Sequence, residues 1–87
     1  MSWTLNYTKQ ALKDAKKLRF AGLWRKAEEL LSVIRQNPYQ NPPPYEKLSG
    51  DLAGAYSRRI NIQHRLVYGV NNEAREVRIL RMWTHYE

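Results

Sequence analysis

The sequence has no cysteine. Disulfides and thiolate metal sites are thereby excluded, and a reducing cytosol is compatible. Histidine is scarce as well. His64 and His85 stand far apart and in no ligand spacing with carboxylates, so neither a metal site nor a cofactor is expected. No stretch approaches the roughly 18 consecutive apolar residues of a membrane-spanning helix. Met1-Ser2-Trp3-Thr4-Leu5 has no basic segment followed by an apolar run and does not read as a signal peptide. A cytoplasmic protein with no membrane attachment is the expectation. There is no glycine-rich phosphate loop, no nucleophile elbow and no internal repeat. Acidic residues are the last shortage: 8 Asp and Glu against 15 Lys and Arg leave a net charge of +7. In a chain of 87 residues that excess points to a polyanionic partner, either nucleic acid or an acidic protein. Charge alone does not separate the two.

What is present reads as one domain over residues 1–87, of ordinary globular composition with 43% hydrophobic and 26% charged residues. Trp3, Leu5 and Tyr7 alternate with polar residues and predict a short first strand, at an edge or paired with a later one. Thr8 is placed to cap a helix from Lys9 to about Phe20, with Ala11, Leu12, Ala15 and Leu18 on its apolar side. Gly22 punctuates. A second helix is expected from Leu23 to about Gln36, where Leu23, Trp24, Ala27, Leu30, Leu31 and Ile34 recur at helical spacing. That stripe reads as core, because a sheet needs covering. Asn37-Pro38 ends the helix, and the segment to Tyr45, with Pro42-Pro43-Pro44, excludes helix and reads as a stiff spacer. Glu46-Lys47-Leu48 adds a short extended piece before a turn-rich bend over residues 49–54. The last strand runs from Glu76 to about Trp83 and is apolar on both sides, which places it inside the sheet. Strand, two helices and an antiparallel meander make an α+β fold, with the helices on one face of a small twisted sheet and the other face open.

The stretch from Tyr56 to Tyr68 organises the rest. Aromatic and β-branched residues flank a polar break at Asn61-Ile62-Gln63 and predict two strands folding back on each other. With the turn centred on Ile62, Arg59 lies directly opposite Arg65. Like charges directly opposite destabilise a sheet unless an anion sits between them. Two solvated arginines on an open face are the plainer alternative.

With metal and nucleophile motifs set aside, the remaining groups suit metal-free cleavage of RNA. There the 2′-hydroxyl is itself the nucleophile. The protein supplies a base, cations for the charged phosphorane and an acid for the leaving 5′-oxygen. Glu46 can act as the base, Arg59 and Arg65 as the cations and His85 as the acid, with Tyr86 as a further donor. Each also has a structural reading: Glu46 as a solvated carboxylate, His85-Tyr86 as a chain end, His64 as a structural residue beside the turn.

The run Ser57-Arg58-Arg59-Ile60, then His64-Arg65-Leu66-Val67-Tyr68, with Glu46 upstream and His85-Tyr86 near the end, resembles the YoeB/Txe toxins of the RelE superfamily. The likeness spans nearly the whole chain. It implies the RelE-like microbial ribonuclease fold and the toxin of a type II toxin–antitoxin system, an endoribonuclease that cuts mRNA in the ribosomal A site and contacts 16S rRNA. It implies an antitoxin of the YefM/Axe type, whose acidic, partly disordered segment folds over the basic face, and it is compatible with a homodimer. By resemblance, Glu46 is the general base, His85 the general acid and Arg65 the transition-state cation. Arg59 positions substrate, Tyr86 contacts the scissile phosphate, and Arg58 and Lys47 join the RNA-binding set. Two departures stand out. Where the family often has a lysine three residues after the glutamate this chain has Ser49, with Lys47 the nearby cation, and the chain continues past His-Tyr to Glu87. The competing readings are a non-catalytic RelE/ParE-like binding module and a basic RNA- or ribosome-binding protein without cleavage.

Overall fold

A computed structural model describes residues 2–83. The elements are β1 (Thr4–Tyr7), α1 (Lys9–Phe20), α2 (Trp24–Gln36), β2 (Glu46–Lys47), β3 (Ala55–Arg59), β4 (Arg65–Asn71) and β5 (Glu76–Arg81), with a short 3-10 turn at Gly50–Leu52. The sheet has five strands in the order β1-β5-β4-β3-β2. β1 runs parallel to β5 and every other pair is antiparallel. As its sequence predicts, the doubly apolar β5 is interior, and β1 is an edge strand paired with it.

α1 starts where Thr8 does two jobs. Its hydroxyl accepts from the Ala11 N–H at 3.0 Å, satisfying one orphan donor of the first turn, and donates to the Leu80 carbonyl at 2.9 Å. The helix start is thus tied to β5. At the other end Gly22 adopts φ +75, and the N–H groups of Gly22 and Leu23 donate back to the carbonyls of Arg19 and Leu18. This left-handed stop closes α1 and turns the chain into α2. Leu23 precedes α2 without a side-chain cap, so that helix depends on packing: Ala27, Leu31 and Ile34 are buried and Trp24 and Leu30 pack beside them.

One core fills the space between helices and sheet, built from Leu18, Ile34, Leu66, Tyr68, Val77, Ile79 and Met82 among others. Each fully buried aliphatic side chain contributes roughly 1.5–3 kcal/mol by the transfer argument. Strand alternation puts Tyr56, Arg58, Leu66 and Tyr68 on this helix side and Glu46, Ser57, Arg59, Arg65 and Val67 on the other. Among the described residues, no helix is long and apolar enough to cross a membrane.

β5 ends two residues sooner than the sequence pattern suggests. The N–H groups of Met82 and Trp83 leave the ladder and donate to the Asp14 carboxylate of α1, at 2.9 and 3.1 Å. Strand pairing loses to a carboxylate that the apolar pattern of α1 gives no reason to place inside; Asp14 is fully buried.

Candidate active site

The open face of the sheet is built around β3. Glu46 on β2 sits opposite Ser57, Ser57 opposite Val67 on β4, and Arg59 opposite Arg65. The facing arginines are the pair that the hairpin turn predicts. Asn61 fixes that turn, its side-chain oxygen accepting from the N–H groups of Gln63 and His64 at 2.9 and 2.7 Å. Such Asx turns are what asparagine offers at a strand break.

Arg65 does not lean on Arg59. Its Nη1 reaches Glu46 Oε1 at 2.6 Å. β2 and β4 flank β3 and lie roughly 9–10 Å apart, so the pair arches over β3 between Ser57 and Arg59. Arg65 keeps 23% of its side chain exposed and Glu46 67%. An ion pair this exposed contributes no more than about 1 kcal/mol and can be exchanged for a better partner. Beneath it the Ser57 hydroxyl is buried and has no hydrogen-bond partner.

The remaining groups on this face are mostly cationic. The registers Val67↔Arg81 and Gly69↔Arg78 bring two more arginines from β5. A bulge at Val67/Tyr68 inserts Leu80 between them. A cleft of about 420 Å³ follows along the same face, bordered by Asp51, Ala55, Gly69, Asn71, Arg78 and Leu80. The ion pair itself lies on open surface rather than in that cleft. No group of three or more His, Cys, Asp or Glu among the described residues could hold a metal ion.

Known proteins resemble this chain in sequence and fold. The family described as "YoeB-like toxin of bacterial type II toxin-antitoxin system" matches residues 7–86. The chain belongs to that family. It is similar to Toxin YoeB of Mycobacterium bovis, 37% identical over 62 residues and 71% of each chain. Among solved structures it resembles the YoeB/ParE toxin from Agrobacterium tumefaciens, with a TM-score of 0.86 at 28% identity, over 95% of this chain and 99% of that one. It also resembles the toxin in the YoeB-YefM complex from Staphylococcus aureus, with a TM-score of 0.80 at 34% identity, over 97% and 98% of the two chains. The α+β, RelE-like fold is therefore as the sequence predicts.

In this YoeB-family toxin the structure brings Glu46, Arg59 and Arg65 together. Two of the residues read as RNA-binding, Arg58 and Lys47, lie off this face. Arg58 is only 1% exposed, and its guanidinium points away from the open face. It donates to Tyr68 Oη and to the carbonyls of Pro38, Gln40 and Pro43. Four of its five N–H groups are spent inside the fold, on the helix side of the sheet. Lys47 pairs with Tyr56 rather than Ser57, so strand alternation turns it to the face opposite Glu46. His85 and Tyr86 lie outside the described residues.

Sequence reading missed Arg78, Arg81 and the buried hydroxyl of Ser57 on this face. Arg78 had a signal, since it alternates with the core residues Val77 and Ile79. The bulge that brings Arg81 round had none.

Proposed function

We propose that this YoeB-family toxin is a ribosome-dependent mRNA endonuclease that uses the RNA 2′-hydroxyl as nucleophile. The observation carrying this reading is the Glu46–Arg65 pair on an open, arginine-rich sheet face. An incoming phosphodiester offers Arg65 two charged oxygens in place of one carboxylate oxygen, a stronger and bidentate match. Glu46 is then freed beside the substrate. It removes the 2′-OH proton as O2′ bonds to phosphorus. Arg65, with Arg59 opposite, stabilises the doubly charged phosphorane. As the P–O5′ bond breaks, His85 delivers a proton to O5′, leaving a 2′,3′-cyclic phosphate and a 5′-hydroxyl. Tyr86 adds a donor to the phosphate.

The end of the described chain lies beside the arginine pair. The Trp83 ring stacks on His64 at 3.9 Å, and His64 directly precedes Arg65. His85 follows two residues later in the sequence. The openness of the site supports the requirement for a ribosome. A surface without walls does little to orient a flexible RNA strand, and a larger assembly that holds the strand in place supplies the missing alignment.

The proposed regulator is an acidic antitoxin of the YefM type, as in the S. aureus complex that this chain resembles, covering the basic face and competing with RNA by mass action. A homodimer is proposed on the likeness to the YoeB dimer from S. aureus, with a TM-score of 0.79. The site of action is the cytoplasm.

The test is a message programmed in ribosomes, with and without a 2′-deoxy sugar at the cut position. The expected result is cleavage of the ribose message to a cyclic phosphate and no cleavage of the deoxy one. Equal cutting of both, or an intact ribose message, would overturn the reading. Intact messages accompanied by damaged DNA in cells would favour a ParE-like binding module.

A further inference from the structure

The cleft on the open face takes no part in the chemistry proposed above. Its volume of about 420 Å³ falls in the range of roughly 300–1,000 Å³ common to small-ligand sites. Its floor is the facing pair Ala55 and Gly69 on β3 and β4. The turn bearing Asp51 and Leu52 forms one wall, and Arg78 and Leu80 of β5 form the other. Ala55 lies two residues along β3 from Ser57, which sits under the Glu46–Arg65 pair, a separation of about 7 Å.

Gly69 is the informative floor residue. A glycine inside a strand loses more conformational freedom on folding than any other residue and packs nothing. Gly69 has no backbone reason to be there, since its φ lies outside the left-handed region, unlike that of Gly22. A Cβ at Gly69 would meet nothing within 4 Å and would project into the cleft. What the residue provides is a bare backbone floor, of the kind found where a ligand approaches a strand closely.

The charge of the cleft differs from that of the rest of the protein. In a chain of net charge +7, the charged groups bordering it are Asp51, Glu76 and Arg78, two carboxylates against one guanidinium. A phosphate gains little from that set, and an acidic peptide is repelled. A planar neutral ligand suits it. Leu52 and Leu80 offer apolar edges, the Arg78 guanidinium offers a plane for stacking, and the carboxylates accept hydrogen bonds. A nucleobase is such a ligand. A carboxylate accepts from the N4 amino group of cytosine and is repelled by the O4 that uracil presents at the same position.

We propose that the cleft is a base subsite for a nucleotide flanking the scissile phosphate. Gly69 is its floor, and Asp51, Glu76 and Arg78 select a base with an exocyclic amino group over uracil. The proposal rests on the nuclease reading above. The distance from Ser57 to the floor is twice the rise of about 3.4 Å between stacked nucleotides. A neighbouring nucleotide therefore reaches the cleft once it is drawn out of the stack, the form in which single-stranded RNA is read. Part of the cleavage preference then belongs to this protein and not to the ribosome.

The experiment is single-turnover cleavage, on programmed ribosomes, of messages with cytosine, uracil or an abasic residue at each position flanking the cut. At one of those positions wild type is expected to cut the cytosine message about 5- to 100-fold faster than the uracil message, and the abasic message slowly as well. Gly69→Val fills the floor with a strand-favouring side chain, so its melting temperature should not fall. It should cut the cytosine message at the abasic rate and the abasic message as wild type does, a pattern that general damage would not produce. The double variant Asp51→Asn, Glu76→Gln should bring the cytosine-to-uracil ratio close to one. Should Gly69→Val melt below wild type, Gly69→Ala replaces it, with the same pattern and smaller losses. Equal wild-type rates on all three messages, or a folded Gly69→Val that keeps the wild-type preference, would overturn the proposal. A Gly69→Val that cuts normally and escapes an acidic antitoxin would also overturn it, by making the cleft a protein site. Wild-type protein that leaves every message intact would overturn the nuclease reading instead. The cleft would then be read by titration with cytidine and uridine. Amide shifts at Ala55 and Val70, larger with cytidine and abolished in Gly69→Val, support the subsite, and unchanged amides refute it.

Discussion

Arg65 stands directly across the β3–β4 ladder from Arg59, yet its guanidinium turns away to Glu46, 2.6 Å distant on the far side of β3. The carboxylate relieves the repulsion between the two arginines in the free protein. It also keeps the proposed base and the proposed phosphate ligand bound to each other until an RNA phosphate separates them. The resting site is therefore closed by its own proposed catalytic groups.

Substitution within that pair is expected to abolish toxicity. Glu46→Ala and Arg65→Ala, and His85→Ala beyond the described residues, should each lower the cleavage rate by about 100- to 10,000-fold and relieve growth arrest on expression. Arg65→Lys should remain impaired, because an ammonium cannot grip two phosphate oxygens as a planar fork does. Growth arrest by all three alanine variants at wild-type strength would show that the site lies elsewhere.

Ser57 is predicted to trade stability for function. Its buried hydroxyl lacks a hydrogen-bond partner under the ion pair, and an unsatisfied buried hydroxyl costs about 1–3 kcal/mol. Ser57→Ala should raise the urea midpoint, by about 1 kcal/mol of stability after the lost packing is deducted, and slow cleavage if the hydroxyl meets the phosphate once the pair opens. A lower midpoint would mean that the hydroxyl is satisfied in solution.

Alkali should loosen the proline-rich segment. The Tyr68 phenol is pushed above its ordinary value near 10 by burial, an effect partly offset by the Arg58 guanidinium and its hydrogen bond. A raised folded-state value means that folding favours the protonated phenol. The associated stability is fully present below about pH 10 and is lost as pH rises from there through the folded-state value. The reason is local: a phenolate can still accept from Arg58 but can no longer donate to Pro38. Melting between about pH 9 and about pH 12 should show a steeper loss for wild type than for Tyr68→Phe, the variant being less stable at neutral pH. Tyr7 and Tyr56 are also raised, chiefly by burial, and titrate in both proteins. Equal slopes would remove Tyr68 from the account.

Gly22→Ala isolates backbone strain. An added Cβ would meet nothing within 4 Å, so the cost at φ +75 is conformational alone. A loss of about 1–2 kcal/mol is expected, read from denaturant unfolding, with cleavage unchanged for the folded fraction. A neutral result would indicate that the α1–α2 junction can rearrange.

Much of this architecture is legible in the chain. Thr8, Gly22 and the turn at Asn61 each act through groups within a few residues, and the apolar stripe of α2 repeats at the period that its burial requires. The opposition of Arg59 and Arg65 follows from counting outward from one turn. Arg58 and Arg59 look alike in the sequence, and near neighbours do not tell them apart. Strand alternation sends Arg59 to the open face and Arg58 into the core, and only the carbonyls of a segment 15 to 20 residues away make that burial tolerable. Asp14 was silent for the same reason, its amide partners lying 68 and 69 residues along the chain.

The sequence by itself determined the elements, the basic charge and the arginine-bearing hairpin, since period, caps and turns depend on near neighbours. The tertiary structure alone decided which charges lie on the open face and which hold the frame. That choice rests on dipoles brought from distant segments, and burial without them would have cost more than the fold could offset.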